Sequence, residues 1–228
     1  MIKIISGRDI KLLDVITIEK EGISSLQLME RACMTFIKWF KSNFSNSNKI
    51  KIFCGSGNNG GDALLISKIL IEMKYNVQVF FLNGNISSSD ECIFHLNSIK
   101  KKRIVSYNIN KISVNEIQDC DIIIDGLFGS GLSRKLDKSL SSLIEHINSL
   151  NAKKISIDIP SGIPMDMIID STCMNSDFTI TFQLPKFSFY FPEYSNFIGK
   201  IITLDIGLNK EFITKSDSLA HIVEESDI

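Results

Sequence analysis

The chain has 228 residues, of which 44% are hydrophobic, enough to bury a substantial core within one large domain. Its 25 basic and 26 acidic side chains nearly cancel, so no net field favours nucleic acid, and no dense single-sign block builds a local one. The five cysteines (33, 54, 92, 120 and 173) form no CxxC pair, and the N-terminal MIKIISGRDIK has no sustained apolar core, so reduced thiols, a cytoplasmic setting and neither export nor membrane insertion are expected.

In chain order, Ser6 with Asp9 and Ser24 with Gln27 have the spacing of helix N-terminal capping boxes. Each precedes a helical apolar recurrence, and the second helix carries the stripe Leu26, Met29, Cys33, Ile37 and Phe40 at steps of three and four. From Ile50 onward short β-rich runs alternate with helical ones. Lys51–Cys54, Val77–Leu82, Arg103–Tyr107, Asp121–Asp125, Lys154–Asp158, Phe178–Phe182 and Ile201–Asp205 read as strands. Asp62–Met73, Ser89–Lys101 and Ser139–Leu150 read as helices, with the basic run Lys100–Arg103 a solvated helix end. That alternation requires crossovers, hence a mostly parallel sheet covered on both faces. After Leu208 the apolar content thins, so residues 1–208 are expected to form one domain and 209–228 a tail or linker.

In an open parallel sheet, ligands bind beyond the carboxyl ends of the strands, so polar groups and glycines just after strands are the candidates. Three clusters qualify: GSGNNGGD after the first sheet strand, DGLFGSGLSRKL ending the fourth, and DIPSGI ending the fifth. The first satisfies GxGxxG at Gly55–Gly60, yet FFLNGN after the next strand supplies no acid for a ribose, and no Gly-Lys-Ser/Thr marks a P-loop. Ordinary dinucleotide binding is thereby disfavoured. What remains is a turn rich in amides with Asn58, Asn59 and Asp62, for which the plain structural reading makes Asp62 a helix cap. In the second cluster Asp125 ends a buried strand, Gly129-Ser130-Gly131 offers backbone N–H groups, and Arg134 and Lys135 follow to meet phosphate. The third places the Asp158 carboxylate and the Ser161 hydroxyl at the same rim. Asn59, Asp125 and Ser161 are hard oxygen donors with no His or Cys among them, so a cation held there would be oxygen-preferring, unlike zinc or copper. His95, His146 and His221 fall in helices or the tail and read as surface or packing residues.

At these clusters the chain resembles the N-terminal YjeF family, the NAD(P)H-hydrate epimerases. The resemblance rests on GSGNNGGDALLISKIL, DGLFGSGLSRKL and SIDIPSGI, with LMERA in the second helix and FPEYSNFIGKIITLDIGL near the end, and spans residues 8 to 208. It implies a Rossmann-like α/β fold, a three-layer αβα sandwich with a mostly parallel sheet and two extra N-terminal helices, assembled as a homodimer. It further implies an isomerase that interconverts the R and S forms of hydrated NADH and NADPH (NADHX and NADPHX), with a potassium ion beside the substrate. Carried over residue by residue, Asn59, Asp125 and Ser161 correspond to potassium ligands. Asn58, Asn59, Gly60, Gly61 and Asp62 correspond to a substrate loop, Gly129, Ser130, Gly131, Leu132, Ser133, Arg134 and Lys135 to a phosphate-side loop, and Asp158 to a substrate contact. Two departures are Arg31 in LMERA, where many relatives have Asn, and Ala63, where a further glycine is common.

In many bacterial relatives such a domain precedes a dehydratase, so a fused or separate NAD(P)H-hydrate dehydratase is an expected partner, and the chain reads as half of a bifunctional protein. Epimerisation requires the bond between the ring carbon and its hydroxyl to break and reform, and Asp158 is the expected general acid and base. The alternative from another class is a non-catalytic YjeF-type module that binds nucleotide, RNA or protein, since fold alone does not fix function. Nucleic acid and membrane are not expected partners.

Overall fold

Residues 1–82, 88–99, 104–107 and 117–223 are described in a computed structural model of the chain, 104–107 by backbone alone. The basic run Lys100–Arg103, the asparagines Asn83 and Asn85 after the second sheet strand, and positions 224–228 lie outside the described residues. A short strand β1 (Ile2–Ile4) leads into α1 (Gly7–Glu21) and α2 (Ser25–Asn43). The expected caps form: Ser6 accepts from the Asp9 N–H, and Ser24 with Gln27 makes a reciprocal capping box. Gly22, at φ 64°, ends α1 in the left-handed conformation that costs glycine little.

Next come β2 (Lys49–Cys54), α3 (Asn58–Glu72), β3 (Asn76–Leu82), α4 (Asp90–Ser98), β4 (Ile104–Tyr107), β5 (Ile122–Gly126), α5 (Lys138–Ser149), β6 (Lys153–Ile157) and β7 (Phe178–Phe182). The chain continues through 3-10 turns, a single turn α6 (Ser195–Ile198), β8 (Lys200–Leu204), α7 (Lys210–Lys215) and β9 (Ala220–Ile222). Strands β2 to β8 form a seven-stranded parallel sheet in the order β4-β3-β2-β5-β6-β7-β8. The α/β class and layered sheet expected from the alternation of runs are the observed ones. The tail after Leu208 supplies α7 and β9, and β9 pairs antiparallel with β1 through Ile2 opposite Ile222 and Ile4 opposite Ala220.

Strand residues divide between two helical layers with the period of two that a pleated strand imposes. Ile50, Ile52, Cys54, Ile122 and Ile124 face a core made with α2 and α3, while Phe53, Phe80 and Ile123 face one made with α5. Burial on both faces explains why DIIID reads as an unbroken apolar run. Of the α2 stripe, Met29, Cys33, Ile37 and Phe40 are buried and Leu26 partly so, Phe36 is buried with them, and truncating either phenylalanine costs about 3–5 kcal/mol. On the second layer, Asp137 caps α5 by accepting from the Leu140 N–H at 2.9 Å, and Leu140, Leu143, Ile144 and Ile147 are buried. Helix α1 covers the end of α2 near Ile206, Leu208 and Phe212. There Arg31 pairs with Glu21 and donates to the Ile206 carbonyl at 3.3 Å, so this departure from the family pattern ties three segments together.

Candidate active site

The strand order reverses between β2 and β5, and the crevice at such a switch point is where open parallel sheets bind ligands. The turns leaving these two strands approach closely: Gly55 N–H donates to the Gly126 carbonyl at 3.0 Å. A Cβ at Gly55 would stand 1.8 Å from the Leu127 carbonyl oxygen, and one at Gly60 would stand 1.8 Å from that of Gly55. Ala63 is accommodated because Gly126 has no Cβ, which would lie 2.4 Å from that of Ala63.

The resemblance makes Asn58 to Asp62 a loop, and the plain structural reading makes Asp62 a helix cap; instead they are the first turn of α3, whose cap is Gly57. Two glycines weaken the helical reading by about 1 kcal/mol each, yet both are held in the turn by close packing, Gly60 on Gly55 and Gly61 on Met29. Gly57 offers no side chain to satisfy the first amides. The N-terminus of a 15-residue helix, without a side-chain cap among the described residues, therefore presents its first amides and the positive end of its dipole beside the cavity, an arrangement suited to an anion.

Beneath the turn after β5 lies a buried polar cluster. Asp125 accepts from the Ser161 hydroxyl at 2.6 Å, the Ser161 N–H at 2.9 Å, the Ser156 hydroxyl at 2.9 Å and the Leu127 N–H at 3.2 Å. Its carboxylate has no ion-pair partner among the described residues, and burial pushes its pKa up. Ser161 Oγ also accepts from the Phe128 N–H at 2.9 Å, and Asn59 Nδ2 donates to the Phe128 carbonyl at 2.9 Å. Because that carbonyl can only accept, the amide orientation of Asn59 is set, and its Oδ1 is left buried without a partner among the described residues. A buried orphaned amide oxygen and a buried carboxylate without an ion-pair partner among the described residues, both tied to the turn after β5, fit a hard, oxygen-preferring cation. No cluster of three His, Cys, Asp or Glu suited to a metal occurs among the described residues.

Asp158 follows the end of β6 at φ 62°, in the left-handed region, where a non-glycine residue costs of order 1 kcal/mol and persists only when its surroundings hold it. Here its N–H still donates to the Ile180 carbonyl at 2.7 Å, and its Oδ1 lies 2.8 Å from Lys186 Nζ. Lys186 is nearly inaccessible, with 2% of its side chain exposed against 16% for Asp158, so the pair is screened little by water. Two further carboxylates share the space. Asp14 of α1 is pushed up to about 6 by burial, with Lys186 pulling it down and the Asp158 charge pushing it up. Asp62 is held well above the usual range by burial, then by the Asp158 charge, with Asp14 adding to it. All four groups line one cavity of about 700 Å³, together with the α3 N-terminus and the turn from Gly129 to Arg134.

Residues 25–188 match the family model described as YjeF-related protein N-terminus. The chain belongs to this family. It is 32% identical over 212 residues to the NAD(P)H-hydrate epimerase of Lentilactobacillus buchneri, covering 91% of this chain and 96% of that protein. It is 28% identical over 204 residues to the NAD(P)H-hydrate epimerase of Limosilactobacillus fermentum, covering 88% of this chain and 95% of the other. A third relative, the bifunctional NAD(P)H-hydrate repair enzyme Nnr of Dictyoglomus turgidum, is 30% identical over 227 residues, and the match spans 97% of this chain but only 44% of that protein. The crystal structure of yeast ynu0 shares the fold, with a TM-score of 0.65 at 20% identity, covering 81% of this chain and 82% of that one.

Within this YjeF N-terminal fold, Asn58, Asn59, Asp62, Asp158 and the run Gly129, Ser130, Gly131, Leu132, Ser133 and Arg134 all reach the cavity wall. Gly60 and Gly61 are buried in the helix turn behind it, and Asp125 and Ser161 are buried under its floor. Lys135 does not join them: it is exposed and paired with Asp170 at 3.2 Å, pointing away from the phosphate role expected for it. Lys186 and Asp14 escaped the sequence reading. Lys186 sits in an LPKF turn with no neighbouring motif, and the signal at Asp14 was a lone carboxylate in helical register with Ile10 and Ile18, both of which line the cavity.

Proposed function

We propose that this chain is an NAD(P)H-hydrate epimerase, an isomerase acting on NADHX and NADPHX in nicotinamide cofactor repair. The observation that carries this reading is the Asp158–Lys186 pair in a cavity at the β2/β5 switch point, in a chain similar over nearly its whole length to proteins of that name. The α3 N-terminus and the Gly129–Arg134 turn supply donors for the phosphates, and the hydrated ring lies toward Asp158.

The substrate carries a hydroxyl on a carbon bonded to the ring nitrogen. Protonation of that hydroxyl lets it leave as water while the nitrogen lone pair forms a C=N bond, giving a cationic ring. Water then adds from the other face, the electrons return to nitrogen, and a carboxylate takes the released proton. No electrons are gained or lost overall. Asp158 is the proposed proton-transfer group, a role that contributes on the order of a hundredfold or more. A potassium ion held by Asn59, Asp125 and Ser161 would supply positive charge that organises the turns around the substrate. We further propose a homodimer, with a fused or separate NAD(P)H-hydrate dehydratase as the enzyme that shares its substrate. Among the described residues no helix is long and apolar enough to cross a membrane.

Incubation with the pure R epimer of hydrated NADH, followed by chromatography, should show the S epimer forming faster than in protein-free buffer. Equal rates with and without protein overturn the proposal and leave the non-catalytic module as the reading.

A further inference from the structure

An inversion that removes water from one face of a ring and adds it to the other needs a proton donor for the departing hydroxyl and an acceptor for the arriving water. Asp158 enters as the negative member of an ion pair with Lys186, which suits the acceptor. A donor must come from elsewhere in the cavity. Histidine does not provide it: among the described residues none lines this space, His95 being buried in α4 and His221 lying on β9.

We propose that Asp14 is the second proton-transfer carboxylate of the reaction, acting from α1 on the same ring that Asp158 addresses from the end of β6. This rests on the epimerase reading above. Asp14 lines the cavity, carries no hydrogen bond or ion pair among the described residues, and is flanked one helical turn either way by Ile10 and Ile18, which dry its surroundings. The charged groups that act on it are Lys186 from the turn after β7 and Asp158 from the end of β6, with Asp62 of α3 and Lys11 of its own helix also lining the cavity. Burial, with the Asp158 charge adding to it, outweighs the single ammonium of Lys186, so its carboxyl group keeps a proton to about pH 6. A proton held there and a carboxylate at Asp158 form the donor and acceptor states that one turnover uses. Asp14 gives its proton to the leaving hydroxyl, the C–O bond breaks, water adds to the other face, and Asp158 takes the proton the new hydroxyl sheds. In the reverse direction the two exchange roles, and bulk water restores the starting protonation.

The test is the pH dependence of epimerisation in wild type and D14N. In wild type kcat should fall as pH rises through about 6, because the donor form of Asp14 is then lost. D14N should lower kcat on the order of a hundredfold with KM within threefold, and its residual rate should no longer fall across that range. A kcat within threefold of wild type, or a falling limb that survives in D14N, overturns the proposal. A wild-type profile flat from pH 5 to pH 8 also overturns it, and this readout does not depend on the variant folding. Wild type that fails to epimerise above the spontaneous rate defeats the epimerase reading itself, whereas active wild type with an unaltered D14N defeats only the role of Asp14.

Discussion

Lysine–aspartate pairs stand at both edges of the parallel sheet and behave differently. At the edge where the strands begin, Lys49 pairs with Asp119 at 2.7 Å and Lys153 with Asp177 at 2.9 Å, all four side chains being at least 37% exposed. Asp177 also accepts from the Lys154 N–H, and Asp121 from the Lys49 N–H, so these carboxylates serve to tie down strand starts. At the edge where the strands end, Lys186 is buried and its partner Asp158 only 16% exposed, and that one ammonium shares a cavity with the carboxylates of Asp14, Asp62 and Asp158. The residue types are the same, but the first edge is screened and locally balanced, whereas the second is dry and has an excess of carboxylates. Burial, with the Asp158 charge adding to it, is what makes Asp14 hold a proton to about pH 6.

The comparison breaks most directly at Asp158. Asp158→Asn should depress kcat by a hundredfold or more while KM stays near wild type, since proton transfer is made in the transition state and not on binding. Steady-state kinetics from the pure R epimer check it, and a near-normal kcat would leave the two edges functionally alike. Lys186→Met strips the cation from the buried pair, so stability in a urea titration should drop by about 3 kcal/mol. The same variant should lose kcat on the order of tenfold or more, because Asp158 is then no longer held in place. A stability loss with kcat untouched would make Lys186 purely structural. For the cation, raising potassium to a hundred times its dissociation constant should stabilise wild type by about 2.7 kcal/mol, and Asn59→Ala should abolish the effect. Equal melting temperatures in potassium and in tetramethylammonium at matched ionic strength would remove the ion. The smallest effects belong to the other edge, where Lys49→Ala or Lys153→Ala should each cost less than about 1 kcal/mol and leave kcat unchanged.

The strands were legible because burial on both faces leaves an unbroken apolar run, as in IIIDG of β5, whose residues are all buried. The three strand-end clusters were legible because a parallel sheet leaves one rim for ligands, and all three are found there. The start of α3 was not, since Gly60 and Gly61 argue locally against a helix and only their packing on Gly55 and Met29 explains them. Asp158 read as the last strand residue, yet it turns left-handed just past β6, as Gln183 does past β7 at φ 59°. Gln183 Oε1 accepts from Ile206 and Leu208, so each kink aims a side chain at a neighbouring segment. Strands β1 and β9 are too short for periodicity to show, and the pairing that makes them strands is contact between opposite ends of the chain.

The amino-acid sequence by itself determined the parallel sheet, the rim that carries polar groups and the oxygen-donor chemistry of Asn59, Asp125 and Ser161, because periodicity, turn residues and donor type are local properties. Only the tertiary structure decided that Asp14 and Lys186 share a space with Asp62 and Asp158. Desolvation and Coulomb interaction depend on separation in space, and residues from α1, α3 and the turn after β7 are far apart along the chain.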